Sequence, residues 1–515
     1  MSRTRVLVAG SALLVSACAV GPNYRPPATP PAAAGRFAAA DAPVYTQDPL
    51  PSAWWRLYED PALDDLIREA LTANTDLRVA TANLRRARAI LSETRSQRLP
   101  STTISGGANY LRTTATSGTT TIGTGGGAGS GGSTGTGTGA GGTTGTGNGG
   151  TGADTGSTLG ISSATYEGDY YSVGFDASYE LDLYGRVRRD IEASRADFAA
   201  SEAQRDAVRV SVAAETARAY ADACSAARET TVAEQTLALQ GQTFDLTERQ
   251  AAAGRGTPLD VARARAQLEQ TRSTIPQFVT ARRTALFRLS VLMGRTPENI
   301  PAAAAACTVA PRLTQPLPVG DGTALLRRRP DIRQADRELA AATARIGVAT
   351  AELYPQISLG ASVGTAATSI GGLGNNAGFR FNVGPLLSWT FPNFTVVRAR
   401  IRQAQASNES ALASFDGTVL GALRDTETAL AELSGELDRL RALQAARDYS
   451  AEAARIVRLR YGSGAENFLA VLDAERTLAA SEAQLASSQA ALTTGQIAVF
   501  KALGGGWEAN QVQSQ

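Results

Sequence analysis

Hydrophobic positions along this chain follow two periods, two residues and about three and a half, and the switches between them mark its elements. From Glu167 to Asp182, Tyr171, Val173, Phe175, Ala177, Tyr179 and Leu181 alternate with Ser172, Gly174, Asp176, Ser178, Glu180 and Asp182. This is the pattern of a strand with one apolar, aromatic face and one polar, acidic face. After Gly185 the sequence turns Ala-rich and charge-laced, with no proline until Pro258. As helix, Gly185 to Ala253 would be about 100 Å long. Three more strands are predicted, at about 101–111, 356–364 and 379–391, the last carrying Phe379, Phe381, Val383, Leu387, Trp389 and Phe391 on one face. Ahead of them, from Trp54 to Arg98, Leu63, Ala70, Leu77, Leu84 and Leu91 recur every seventh residue, a coiled-coil-like helical row.

The second half repeats the first. Asp76, Leu77, Arg78, Ala80, Leu84 and Pro100 recur 255 residues later as Asp331, Ile332, Arg333, Ala335, Leu339 and Pro355. Past the strands the offset becomes 210: Arg188, Thr216, Leu259, Ala264 and Gly294 match Arg398, Thr426, Leu469, Ala474 and Gly504. The missing 45 residues correspond to a tract of Gly, Thr and Ser at 113–158, an insertion in one strand–loop–strand unit. Such a tract cannot bury enough apolar area to form a core and reads as an external loop.

The predicted organisation is a signal peptide at 1–17, a Pro/Ala-rich tether at 18–53, a first repeat at 54–294, a Pro/Ala-rich connector at 295–322, a second repeat at 323–504 and a tail at 505–515. In each repeat a helix and a hairpin precede a long helix (about 185–253 and 395–461) and a return helix (about 257–294 and 467–503).

Four strands cannot close on themselves, and hydrocarbon does not tolerate an open sheet edge. Membrane strands here require several chains, each donating four. Two chains would give an interior filled by side chains and three a wider one, so conduction favours three. The aromatic faces would meet lipid, and Asp176, Glu180, Asp182 and Arg380 would line a wetted lumen. A soluble β-sandwich is the competing reading; the long helices flanking both hairpins weigh against it.

Charge and composition narrow the chemistry. Net charge is +2 with both signs interspersed, which offers no electrostatic footprint for nucleic acid. The chain has no histidine and only three cysteines, Cys18, Cys224 and Cys307, so neither the commonest general base nor a zinc cluster is available. No catalytic constellation, cofactor motif or metal site is found, and no enzyme activity is expected. Arg3 and Arg5 precede a short apolar run, Val6 to Val15, and then Leu14-Val15-Ser16-Ala17-Cys18, which resembles a bacterial lipobox with Cys18 as the acylated residue. Ala19 after it favours the outer membrane by analogy with bacterial lipoproteins. Cys224 sits in a helical run and Cys307 in the connector; a disulfide is open to them in an oxidising compartment, but separate thiols are the expectation.

The long helices stop at paired turns. Gly254 and Gly256 suit a helix C-terminus, Thr257 an N-cap, Pro258 the first helical position, and Asp260 the reciprocal cap, with Leu259 between them. The copy has Gly462, Gly464, Asn467, Phe468 and Leu469, with Asn467 in the capping place of Thr257. As exposed rims these turns could serve as a docking surface.

With Gly21-Pro22-Asn23-Tyr24, Trp54-Trp55, Asp60-Pro61-Ala62-Leu63 and Asn74-Thr75-Asp76-Leu77, the chain resembles the outer membrane factor family of lipoproteins. Arg328-Arg329-Pro330-Asp331-Ile332, Leu353-Tyr354-Pro355, Leu472-Asp473-Ala474-Glu475 and Lys501 to Trp507 extend the resemblance over nearly all of the mature chain. These are the TolC-like exit ducts of tripartite efflux pumps. The resemblance implies a mainly α fold with a membrane β-barrel part, in which a homotrimer shares a twelve-stranded barrel that continues into an α-helical coiled-coil tunnel. It also implies outer-membrane lipid around the barrel, a periplasmic adaptor on the two helix turns, and an inner-membrane transporter as energy source. Small molecules would then be conducted passively to the exterior.

One departure concerns the periplasmic constriction. Family members often place a carboxylate ring shortly before the second turn, whereas 453–461 here holds Arg455, Arg458 and Arg460 and no acid, Glu452 being the last. Leu459 or the arginines could line the constriction; pairing of the arginines with Asp245 and Glu248 of the first long helix is the favoured expectation. The rival function is a lipid-anchored coiled-coil surface protein or adhesin, which leaves the two-copy hairpin pattern unexplained.

Overall fold

The computed structural model describes residues 19–28, 35–116, 163–313, 315–392 and 394–506. The predicted signal peptide, Cys18 and most of the Gly/Thr/Ser tract lie outside the described residues. In chain order the elements are β1 (Tyr45–Thr46), α1 (Pro61–Ala73), α2 (Thr75–Ser96), β2 (Ser101–Thr116), β3 (Ser163–Leu181), α3 (Arg186–Ala252) and α4 (Pro258–Leu292). There follow α5 (Ala302–Ala305), β4 (Leu317–Pro318), α6 (Gly322–Arg328), α7 (Pro330–Ala351), β5 (Gln356–Ala367), β6 (Phe379–Ser388), α8 (Phe394–Gly462) and α9 (Phe468–Ala502). They form two compact units, a helical one and a strand one made of 99–181 and 357–387.

The internal repeat is written into the element lengths. α2 and α7 are both 22 residues, and α4 and α9 are both 35. The first helical region is broken where the heptad row predicts continuity: the Asn74 side chain accepts from the N–H groups of Asp76 and Leu77 and starts a new helix. Arg329 stands at the same break in the second copy.

Within the helical unit α3 is the central rod, packed against α1, α2, α4, α7 and α9, while α8 lies along α7 and α9. Its buried stripe from Ala213 to Ala227 is mostly alanine, which lets neighbouring helices approach closely. The main core forms around Trp54, which stacks on Phe500 at 4.7 Å among Leu63, Ile67, Leu289 and Leu430. A second, small core of Tyr461, Phe468, Val471 and Leu472 lies at the start of α9.

Two expectations are corrected here. The segment ahead of Trp54 is not a free tether: Phe37, Ala40, Tyr45 and Leu50 are buried in the main core, and β1 pairs in parallel with β4. Cys224 and Cys307 are not separate thiols but a disulfide, with Cα atoms 5.1 Å apart. The connector makes this possible by folding back on the helices, with Ala304 buried and the Ala305 carbonyl accepting from Arg282 at 2.5 Å. No local pattern in a Pro/Ala-rich segment encodes such a return.

The strand unit is one sheet in the order β2-β3-β5-β6. Its register keeps the two faces apart. Ile104, Phe175 and Val363 stand side by side, as do Thr103, Asp176 and Ser362 on the opposite face. Phe175, Ile104, Phe381 and Val383 are exposed, Phe381 by 75 %. From Leu181 to Tyr171 the apolar face runs about 33 Å, or about 25 Å of height at a usual barrel tilt, the height of a lipid-facing band. Beyond it the same face turns polar: Glu167 accepts from the Tyr110 hydroxyl at 3.1 Å and lies 3.5 Å from Arg112. β5 ends at Ala367, the partner of Tyr171, whereas β2 and β3 continue together to Thr116 and Ser163.

Candidate functional site

Both reversals of the long helices are built the same way. At the first, Gly254 takes the left-handed conformation (φ 74°) and the Arg255 N–H reaches back to the Gln250 carbonyl at 2.8 Å. The next helix opens with a capping box: Thr257 Oγ1 accepts from the Asp260 N–H and Asp260 accepts from the Thr257 N–H, each at 3.2 Å, with Pro258 in the first turn. At the second, Gly464 has φ 77°, the Ala465 N–H reaches the Arg460 carbonyl at 2.8 Å, and Asn467 Oδ1 accepts from the Ala470 N–H at 3.0 Å. A side chain at either glycine would meet open space, so backbone conformation alone selects glycine there. Gly256 and Gly462 flank these caps.

The outward side chains are Leu259 and Leu469, 56 % and 53 % exposed at equivalent positions. Phe468, the third apolar candidate, turns the other way. It is buried against Tyr461, ring centroids 5.9 Å apart, and anchors the turn from beneath. Sequence marks an aromatic beside a cap as a contact candidate without telling which face of the first turn it takes.

The arginines before the second turn do not pair with Asp245 and Glu248, both of which are exposed on α3. Arg455 is held by Glu452 one turn back on α8, at 2.7 Å, and Arg460 lies 3.5 Å from Glu466. The hydrogen bond and charge of Arg455 hold the Glu452 carboxyl below its ordinary range. Arg458 reaches to α9, where its Nε donates to Glu475 Oε1 at 2.8 Å. Helical neighbours three residues apart are preassembled partners, and a buried acid outcompetes two solvated ones. Leu459 is 63 % exposed.

Glu475 is the residue that sequence reasoning missed as a site. It is 4 % exposed and also accepts from Thr243 of α3 at 2.5 Å, so one carboxylate joins α3, α8 and α9. Further polar side chains interrupt the packing of α3 and α9. Thr236 donates to Glu482 at 3.1 Å, and the buried amide of Gln240 has no hydrogen-bond partner among the described residues. A seam of this kind gains less from burial than an apolar one.

Of the expected lumen residues, Asp176 and Glu180 share the polar face of β3, and Arg380 alternates with Phe379 and Phe381 on β6. Asp182 is not on the strand. Its carboxylate accepts from the Val187 and Arg188 N–H groups at 3.1 and 2.9 Å, where an anion meets the positive end of α3. No helix among the described residues is long and apolar enough to cross a membrane, and no group of three or more His, Cys, Asp or Glu that could hold a metal occurs among them.

Known proteins share this arrangement. Residues 66–295 and 323–505 match the family model described as outer membrane efflux protein. The chain is 29 % identical to the outer membrane protein OprJ of Pseudomonas aeruginosa, over 96 % of this chain and 95 % of that one. It is 28 % identical to the cation efflux system protein CusC of Escherichia coli O157:H7, over 99 % of this chain and 100 % of that one. Among solved structures, the outer-membrane channel OprN superposes with a TM-score of 0.81 at 34 % identity, covering 95 % of this chain and all of that one. The open-state MtrE outer membrane channel of Neisseria gonorrhoeae gives 0.75 at 28 %, covering 95 % and 99 %. Two-faced strands, twinned long helices and a family match over both repeats lead to one conclusion: the chain belongs to the outer membrane efflux protein family.

Proposed function

We propose that this chain is the outer-membrane exit duct of a tripartite efflux system, conducting small molecules passively from periplasm to exterior. The observation that carries it is the sheet register, which keeps Ile104, Phe175 and Val363 on one face and Thr103, Asp176 and Ser362 on the other. Four such strands leave two open edges, so closure in lipid needs further copies, and three copies give a lumen wide enough to conduct. Acylation of Cys18 would add attachment without making the channel.

A periplasmic adaptor is assigned to the helix turns, with exposed Leu259 and Leu469 as its apolar contacts and the caps of Thr257 and Asn467 holding them in place. An inner-membrane transporter supplies the energy and selects the cargo. In the duct itself no bond is made or broken.

Purified full-length protein in planar bilayers tests the reading. Stepwise conductance from a heat-modifiable trimer is expected. Absence of current from wild type and from an Arg455→Ala/Arg458→Ala variant, with a monomeric band in outer-membrane extracts, would overturn it.

A further inference from the structure

The helical wall carries a feature that a passive duct does not require. Two cavities open side by side along α3, an open groove of about 760 Å³ against α4 and a more enclosed space of about 290 Å³ reaching α9. Glu229 and Gln277 line both. The ionisable groups lining the pair are Asp222, Glu229 and Arg288, and Asp222 accepts from Arg288 at 2.5 Å. Glu229, partly buried, has no ion-pair or hydrogen-bond partner among the described residues. The remaining wall is largely small or apolar, with Phe278 on the enclosed side and Pro276 on the groove side.

We propose that the Glu229 cavities bind a lipophilic organic monocation, its charge against the Glu229 carboxylate and its apolar body along α4. The Asp222–Arg288 pair cancels, leaving one net negative charge in a space of small-ligand size with weakly polar walls. A protonated or quaternary amine, or a phosphonium, satisfies both the charge and the surface; an anion or a sugar satisfies neither. Burial, with a smaller contribution from Asp222, raises the Glu229 pKa, so the site discharges at a higher pH than a solvated glutamate would.

The probe is tetraphenylphosphonium, whose charge does not titrate, measured by equilibrium dialysis against the detergent-solubilised full-length oligomer. Saturable binding is expected, weakened about tenfold or more by Glu229→Gln, a change of about 1.4 kcal/mol. Binding should fall as the pH drops through the raised midpoint, and neutral triphenylphosphine oxide should not compete. Ala281→Phe, which fills the exposed groove wall and leaves the carboxylate in place, should also abolish binding. The proposal is overturned if Glu229→Gln and Ala281→Phe bind like wild type, if the neutral oxide binds equally well, or if Asp176→Asn/Glu180→Gln removes binding that Glu229→Gln leaves intact.

Discussion

Thr243 on α3 and Arg458 on α8 donate to the same atom, Oε1 of Glu475, at 2.5 and 2.8 Å. Each long helix is paired with its own return helix, and this carboxylate ties one pair to the other.

Glu475→Gln removes the ionic acceptor and leaves a partly exposed guanidinium without its partner. The expected cost is about 1–3 kcal/mol. In planar bilayers the variant should conduct more often than wild type, because the link between the helix pairs is weakened. Thermal melting and single-channel recording check the two halves of the prediction independently.

The Cys224–Cys307 bridge closes a loop with a sequence separation of 83. Chain-entropy reasoning puts its contribution at about 2–4 kcal/mol, most of it from restriction of the unfolded chain. Reduction, or a Cys224→Ser/Cys307→Ser double variant, should lower the melting temperature and leave strand-dependent conductance in place. Unchanged melting would show that the connector is held by packing alone.

The two strand faces should respond differently to charge. Phe175→Arg places a cation on the apolar face and should cost about 2–4 kcal/mol near the bilayer midplane, read as loss of the heat-resistant oligomer. Asp176→Asn, one position on, should keep the oligomer and shift the reversal potential away from cation preference. Equal behaviour of the two variants would contradict the assignment of faces.

At the helix turn, Thr257→Ala removes one side of the capping box and should destabilise by about 1 kcal/mol. Leu259→Asp should leave stability unchanged, because the side chain is exposed, yet reduce cross-linking to a periplasmic adaptor. Melting curves and photo-cross-linking in cells separate the two effects.

Glu229 gives a signed pH dependence. Its folded pKa is raised, so the native state holds the proton more tightly than the unfolded chain. The associated stability is present below the ordinary glutamate range and is lost as pH rises through the raised value. Glu229→Gln should flatten that part of the stability–pH curve, which denaturant titrations across the interval would detect.

What the sequence revealed was periodic. A two-residue alternation placed Phe175 and Asp176 on opposite faces, and offsets of 255 and 210 anticipated helix pairs of equal length. What it hid was decided by contact between distant segments. Asp182 continues the strand alternation but is captured by the N-terminus of α3. Leu77 continues the heptad row, although Asn74 has already broken the helix. Phe468 sits beside an exposed cap and nevertheless points inward, and the partners of Cys307 and Arg458 lie in other elements.

The unequal hairpins carry a practical consequence. Past the Tyr171–Ala367 pair, β2 and β3 run on alone through eight further pairs, about 27 Å, and neither edge of that ribbon has a strand neighbour among the described residues. Among the described residues the chain thus presents one such antenna, from the first repeat. In the proposed duct this ribbon points to the exterior, so antibodies or phage approaching a cell are expected to meet one recurring epitope there, and a peptide spliced into the antenna is expected to be displayed without disturbing the apolar face of the strands.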